Sequence, residues 1–395
     1  MKRFKYGWIL PASACAVLLL AAAGCEYDSP VPMFYQDHSA RTGPSVTGLE
    51  PARAAAGVNT VTIRGERFSP AADSNRVYFN GAKTEIISAT ATSLLVRRPT
   101  VSGTLNLKVV NLGALEVGSF EGYPVDAVDA SYGGFIDGAV NNAILVDAAE
   151  NVYVFRTGLM KAFKVASDGT QSVFMEATIR GVTDVIPAAD GTLVLLSNNA
   201  KISKVNPADG IETEWVAKAP KRFTVGAADA NGNIYMAAKN TDLYMSYPDG
   251  TFSAALGVYA THDVKKIRVH GNYVYIIAEH ATVEPKAAVY RHAILDASGT
   301  LGPRETVLDR AASGAFSAAA FKDVMFSASG DMYVATDAAS PILQMKADGT
   351  LDTWYKGIIK GSAERLAAGN GRYAYMLQLD GAKGDLIRID MGEGF

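Results

Sequence analysis

The sequence predicts an all-β chain in two parts, a small β-sandwich followed by a six-bladed β-propeller. Three observations predict it. Between residues 61 and 111, apolar and polar residues alternate in short runs, with Gly, Pro and Asn turns about ten residues apart, the spacing of half-buried strands. From residue 143 a unit of about 40 residues recurs six times, and a period of that length marks a repeat architecture. Each complete unit holds four alternating runs, with a short Gly or Asn turn between the first two and often an Asp-Gly turn between the last two. Four strands per repeat is the content of a propeller blade.

The N-terminus explains how such a chain leaves the cell. Lys2, Arg3 and Lys5 form a positive head, and Ile9 to Ala23 is an apolar run interrupted by Pro11 and Ser13. The run is shorter than the roughly 20 residues a spanning helix needs, and no basic stop-transfer cluster follows. It reads as a cleaved signal peptide over residues 1–24. Ala22-Ala23-Gly24-Cys25 resembles a bacterial lipobox, departing from it in having Ala22 where Leu is usual. The resemblance implies that Cys25 is lipidated and becomes the first mature residue. Cys15 is discarded with the signal, so the mature chain has no intramolecular disulfide and depends on its core. At 49% hydrophobic, that core is ample.

Removing residues 1–24 takes away three basic and no acidic residues, so the net charge moves from −3 to −6. The remaining basic residues are scattered, not striped, which argues against nucleic acid and against a basic membrane-surface helix. Membrane contact is expected through the lipid alone. Residues 25–42, with their prolines and polar residues, read as a tether. Glu26 and Asp28 resemble the short acidic signals that send lipoproteins to the outer surface in Bacteroidetes-like bacteria, which implies a lipid-anchored outer-membrane location facing the cell surface.

Strands are expected at VTIRG (61–65), NRVYFNG (75–81), TEIISAT (84–90), SLLVRRP (93–99) and LNLKVVN (105–111), the pattern of an immunoglobulin-like sandwich. GPSVTGLEP, VTIRGERFSP, NRVYFNG, SLLVRRP and LNLKVVN, in that order, resemble an IPT/TIG domain over residues 43–120. Such domains are spacers or protein-contact modules on surface proteins, so the resemblance implies a support for the next domain.

The six units run over 143–174, 183–216, 224–256, 263–310, 322–355 and 363–391. A first strand, a Gly turn and an aromatic-containing second strand (NVYVF, NIYMAA, DMYVAT) resemble NHL-type propellers. Unit six lacks a fourth strand, because the chain ends at Phe395. A ring leaves no open edge only if it closes, so residues 122–131 are expected to supply that strand within a propeller spanning 121–395. The tight turns occupy one rim. The longer connections, including AEHATVEPKA at 278–287, occupy the other, and ligand sites favour such loops.

Registering the units on their first Gly turn places Asp184, Asp323 and Glu364 at equivalent positions near the axis, with Asp263 one residue earlier and Ile144 and Val225 in the remaining units. Carboxylates converging on a channel repel unless neutralised. They would either bind a divalent cation such as Ca2+ or a cationic ligand, or pair with Arg222, Lys265, Lys322 and Arg365. Asp184, Asp263, Asp323, Glu364, Arg222 and His280 are therefore the ligand-site candidates, and Asp184, Asp323 and Glu364 the metal candidates.

Asp229-Ala-Asn231-Gly-Asn233 looks like part of a calcium loop but lacks the distal acid, and its place in the repeat makes it a turn. Trp215 and Trp354 occupy matching positions and are expected to pack blade on blade. The five histidines, at 38, 262, 270, 280 and 292, show no metal-ligand spacing.

Enzyme motifs are absent: no G-x-S-x-G elbow, H-E-x-x-H or phosphate loop. Related six-bladed propellers include calcium-dependent lactonases, whose Glu-Gly-Pro and Asn-Gly signatures are not placed equivalently here. Three readings compete. The first is a non-enzymatic surface lipoprotein without cofactor that binds a glycan, peptide or protein. IPT/TIG and NHL-like parts in one lipoprotein resemble accessory components of TonB-dependent SusC/SusD-type uptake systems, which implies an outer-membrane transporter as partner. The second is a metal-dependent lactonase or hydrolase, and the third a purely structural envelope subunit.

Overall fold

The computed structural model describes residues 42–135, 141–156, 159–176, 181–380 and 383–395. Cys25, the tether up to residue 41 and His38 lie outside the described residues. The chain is all-β.

Residues 45–125 form two four-stranded sheets. One runs Ser45–Glu50, Thr60–Glu66, Ser93–Arg97, Ile86–Ala89, and the other Ala82–Thr84, Asn75–Phe79, Gly103–Asn111, Gly118–Val125. Alternation explains the sandwich: Val61 and Ile63, Val77 and Phe79, Leu94 and Val96, and Leu105, Leu107 and Val109 all point into one core. The run expected as a single strand over 84–90 is split between the two sheets. The last strand, Gly118–Val125, carries the sandwich past the expected boundary at 120. Residues 122–125 are thus sandwich and not part of the propeller, because Tyr123 is buried in the sandwich core and pairs with Leu105.

Six sheets follow among the described residues. Their first strands are Asn141–Val146, Asp184–Pro187, Val225–Ala228, Asp263–His270, Phe321–Phe326 and Ser362–Ala368. Each of these touches the next, and the sixth touches the first. They surround the axis, and the sheets are blades one to six. Asp-Gly-Thr turns recur in blades one, two, three and five. Asp168, Asp190, Asp249 and Asp348 each accept the N–H of the Thr two residues on at 2.8–3.0 Å, and the intervening glycines have φ of +80 to +89°, a conformation a side chain disfavours. Blade three has three strands, not the expected four. Its outer run is diverted because the Asp242 carboxylate gathers the N–H groups of Gly257, Val258 and Tyr259.

The strand Asp129–Ser131 pairs antiparallel with Lys383–Asp390 and supplies the fourth strand of blade six. Tyr132 N–H donates to Leu386 O, and Asp390 N–H to Val128 O, both at 2.7 Å. Tyr132 and Phe135 then pack with Tyr375, Leu377, Ile144 and Val154 across the seam between blades six and one.

The sandwich is bonded directly to blades five and six. The Asn59 amide donates to Asp352 at 2.8 Å and accepts from Tyr355 N–H at 3.2 Å, and Arg97 pairs with Asp352 at 2.6 Å. The buried Tyr355 hydroxyl donates to Asp390 O and accepts from Gly57 N–H, both at 2.7 Å. At Gly57, with φ +86°, an added Cβ would lie 2.8 Å from Met391 O.

A chain started at residue 133 loses the closing strand, whereas one started at 127 keeps it. Each ladder bond contributes a net of about 0.5–1.5 kcal/mol and the buried Tyr132 ring more, so the shorter chain is expected to be less stable by about 3 kcal/mol or more in urea unfolding. Equal midpoints would refute this role for the strand.

Candidate functional site

Cross-strand pairing sets the register at the axis. Asp184 faces Leu196, Lys266 faces Ile277, Asp323 faces Ala335 and Arg365 faces Leu377. These four occupy equivalent positions in blades two, four, five and six, with Ala143 and Val225 in blades one and three. Glu364 and Asp263 therefore do not belong to the ring expected from the sequence. The Gly-turn alignment slips by one in blade six, where Gly371 follows the strand end sooner than Gly330 does in blade five. Blade four has a shorter hairpin still, with His270 facing Tyr273. Two acids and two bases meet where three or four acids were expected.

Both acids are buried and paired. Asp184, 1% exposed, accepts from Lys266 Nζ at 2.5 Å and from Gly226 N–H at 3.1 Å. Asp323, fully buried, accepts from Arg268 Nη2 at 2.8 Å and from Leu366 N–H at 3.1 Å. Arg268 also donates to Val324 O at 3.2 Å and Leu366 O at 3.0 Å. Each aspartate thus ties its innermost strand to that of the following blade, while its cation comes from blade four. The expected partners are partly right. Lys322 holds Glu364 at 2.5 Å and Lys265 holds Asp263 at 2.7 Å. Arg222, however, is exposed and joins no ion pair among the described residues, and Arg365 donates to Glu364 O at 2.7 Å. Sequence reasoning missed Lys266 and Arg268. The signal was the run Lys266-Ile-Arg268-Val-His270, which puts three polar residues on alternate positions of an innermost strand.

Burial and the nearby Arg268 charge push Lys266 down to about 8 despite Asp184. Among the described residues, no three His, Cys, Asp or Glu side chains come together to hold a metal ion. Asp229 accepts from Asn231 N–H, Asn233 N–H and the Tyr235 hydroxyl at 2.9–3.1 Å, so its carboxylate is spent on its own turn. Trp354 is buried edge-on to Tyr333, and Trp215 lies under Lys204.

Two hollows remain. On the long-connection rim, a cleft of about 360 Å3 is lined by Lys239, Asp263, Glu279, His280, Lys286 and Arg310, among others. His280 Nδ1 accepts from Val283 N–H at 2.9 Å, which leaves Nε2 to donate to Thr261 Oγ1 at 3.1 Å. The 278–287 loop is thereby pinned to the connection between blades three and four. At the other end of the axis, a cavity of about 300 Å3 is lined by the last three residues of every innermost strand.

Residues 44–124 match the model of the IPT/TIG domain. The whole outline recurs in solved structures. A structural genomics protein of unknown function from Bacteroides thetaiotaomicron is 11% identical over 89% of this chain and 98% of its own, with a TM-score of 0.52. An auxiliary nutrient binding protein from the same organism is 11% identical over 89% of this chain and 99% of its own, with a TM-score of 0.50. A protein described as a candidate gluconolactonase is 13% identical over 68% of this chain and 93% of its own, with a TM-score of 0.52. These likenesses show the fold. No curated protein sequence matches the chain.

Removing one partner of a buried ion pair costs about 3–5 kcal/mol, while replacing both is often near neutral. Lys266→Met is expected to lose stability on that scale, and Lys266→Met with Asp184→Asn to recover most of it in urea unfolding. Additive losses would mean the two are not coupled.

In the unfolded chain Lys266 titrates near its ordinary 10.5, so between pH 8 and 10 the unfolded state holds more protons than the folded one. Stability is then expected to rise with pH across that window, by at most about 1.4 kcal/mol per unit. The rise should be absent from the double variant, and a rise of the same size there would assign it elsewhere.

Proposed function

We propose that this protein is a non-enzymatic, solute-binding accessory lipoprotein of an outer-membrane uptake complex. Lipid on Cys25 anchors it, the IPT/TIG domain holds the propeller off the membrane at the cell surface, and the rim cleft meets the ligand. The observation that carries the reading is that cleft. Its lining is almost wholly polar, with cations and carboxylates side by side, it takes residues from the connection between Glu279 and Ala287, and strands on either side hold it. Such a surface suits hydroxyl-rich or peptide ligands, which offer donors and acceptors but little apolar area.

Support also comes from the two-part outline shared with a protein described as an auxiliary nutrient binding protein. A TonB-dependent transporter of the SusC/SusD type is the proposed partner, and no cofactor is needed. The bonded joint at Asn59, Arg97 and Tyr355 fits this role, because a fixed angle between support and propeller presents the cleft in one orientation. Metal-dependent hydrolysis would require Asp184 and Asp323 to leave Lys266 and Arg268, at the cost of leaving the buried Lys266 cation unpaired.

Affinity purification of the tagged full chain from its own membranes in mild detergent is expected to bring down a near-stoichiometric outer-membrane transporter. Recovery of the protein alone would count against the reading. On a glycan and peptide array, a ligand that binds the wild type should bind His280→Ala and Lys286→Ala at least about tenfold more weakly, since exposed ion pairs contribute little to folding. Unchanged binding would move the site away from the cleft.

A further inference from the structure

We infer that the tight-turn end of the propeller axis is a second binding site, a cup that takes small carboxylic acids with an apolar body. Three observations converge there.

The first is shape. The cup, about 300 Å3, is at the lower end of ligand-sized cavities. It is widened where blade three ends its innermost strand in Gly226-Ala227-Ala228 and blade six in Ala367-Ala368, against larger residues such as Val146, Pro187, His270 and Phe326 at the strand ends of the other blades. A Cβ on Gly226 would sit 2.6 Å from Ile186 Cδ1. The hollow is therefore built into the packing.

The second is the wall. Leu145, Val146, Val269 and Ala367 line the cup and are half-buried, and at the mouth the His270 ring lies parallel on Phe326, with centroids 4.4 Å apart and planes 12° from each other. Burial lowers the His270 pKa, so near neutral pH this stack presents a flat, uncharged face.

The third is charge. Around the axis, Lys266, Arg268 and Arg365 outnumber Asp184 and Asp323, and Arg268 alone among them lines the cup. Its Nε and Nη2 are occupied by Val324 O, Leu366 O and Asp323. Nη1 has no partner among the described residues, and no carboxylate lines the cup. The remaining guanidinium nitrogen, Nη1, can donate to a carboxylate by a charge-assisted hydrogen bond.

The site is separate from the rim cleft, and its test uses other probes and other residues. Calorimetric titration of the full chain with benzoate, benzamide, benzylamine and acetate separates charge from apolar body. Benzoate is expected to bind, benzamide and acetate at least roughly tenfold more weakly, and benzylamine not at all, the factor being what one charge-assisted bond or one buried ring supplies. Ala368→Phe, at the exposed mouth, is expected to abolish benzoate binding with the melting temperature unchanged. Arg268→Lys keeps a cation beside Asp323 but removes the Nη1 donor, and should weaken benzoate at least roughly tenfold. Equal binding of all four probes, no binding of benzoate at about 10 mM, or benzoate binding untouched by both variants would each overturn the proposal.

Discussion

The pairing of Asp184 with Lys266 and of Asp323 with Arg268 near the propeller axis is the constraint on which the rest of the structure depends. Six innermost strands converge there, and their backbones cannot hydrogen-bond to one another as sheet neighbours do. The two aspartates supply the missing links by accepting N–H groups of the following blade, Gly226 and Leu366. A carboxylate buried for that purpose must be neutralised, and blade four delivers both cations. Blades two to six are thereby fastened through one charged layer. Its surplus positive charge decides which ligands the axis can attract.

Closure of the ring follows a different logic. The outer strand of blade six is borrowed from Asp129–Ser131, so both ends of the propeller sequence lie in one blade and unfolding cannot start at a free edge. The borrowed strand begins four residues after the sandwich ends at Val125, and the sandwich is itself bonded to Asp352, Tyr355 and Asp390. Sandwich, closing strand and last blade form one joint, through which the N-terminal domain is coupled to the ring.

Much of this was legible in the sequence. Strand alternation located the sandwich, the repeat located the blades, and the missing fourth strand of unit six pointed to the segment before unit one. The axis was legible only in part. Asp184 and Asp323 are equivalent, as their distance from a Gly turn suggests, but Glu364 and Asp263 are not, because blades four and six shorten the turn used as a ruler. A one-residue slip replaces Arg365 by Glu364 and so exchanges a base for an acid. The cup was invisible for another reason: Gly226-Ala-Ala and Ala367-Ala368 read only as weak strand ends, and a hollow is a relation among six strands that no single repeat contains.

The axial carboxylates Asp184 and Asp323 act as framework, held by Lys266 and Arg268. Thermal melting of the protein with excess chelator and with millimolar calcium tests it most directly, since an ion bound only by the folded state raises the melting temperature by mass action. The account predicts coincident melts. A rise of several degrees in calcium that disappears in Asp184→Asn would contradict it and make the axis a metal site.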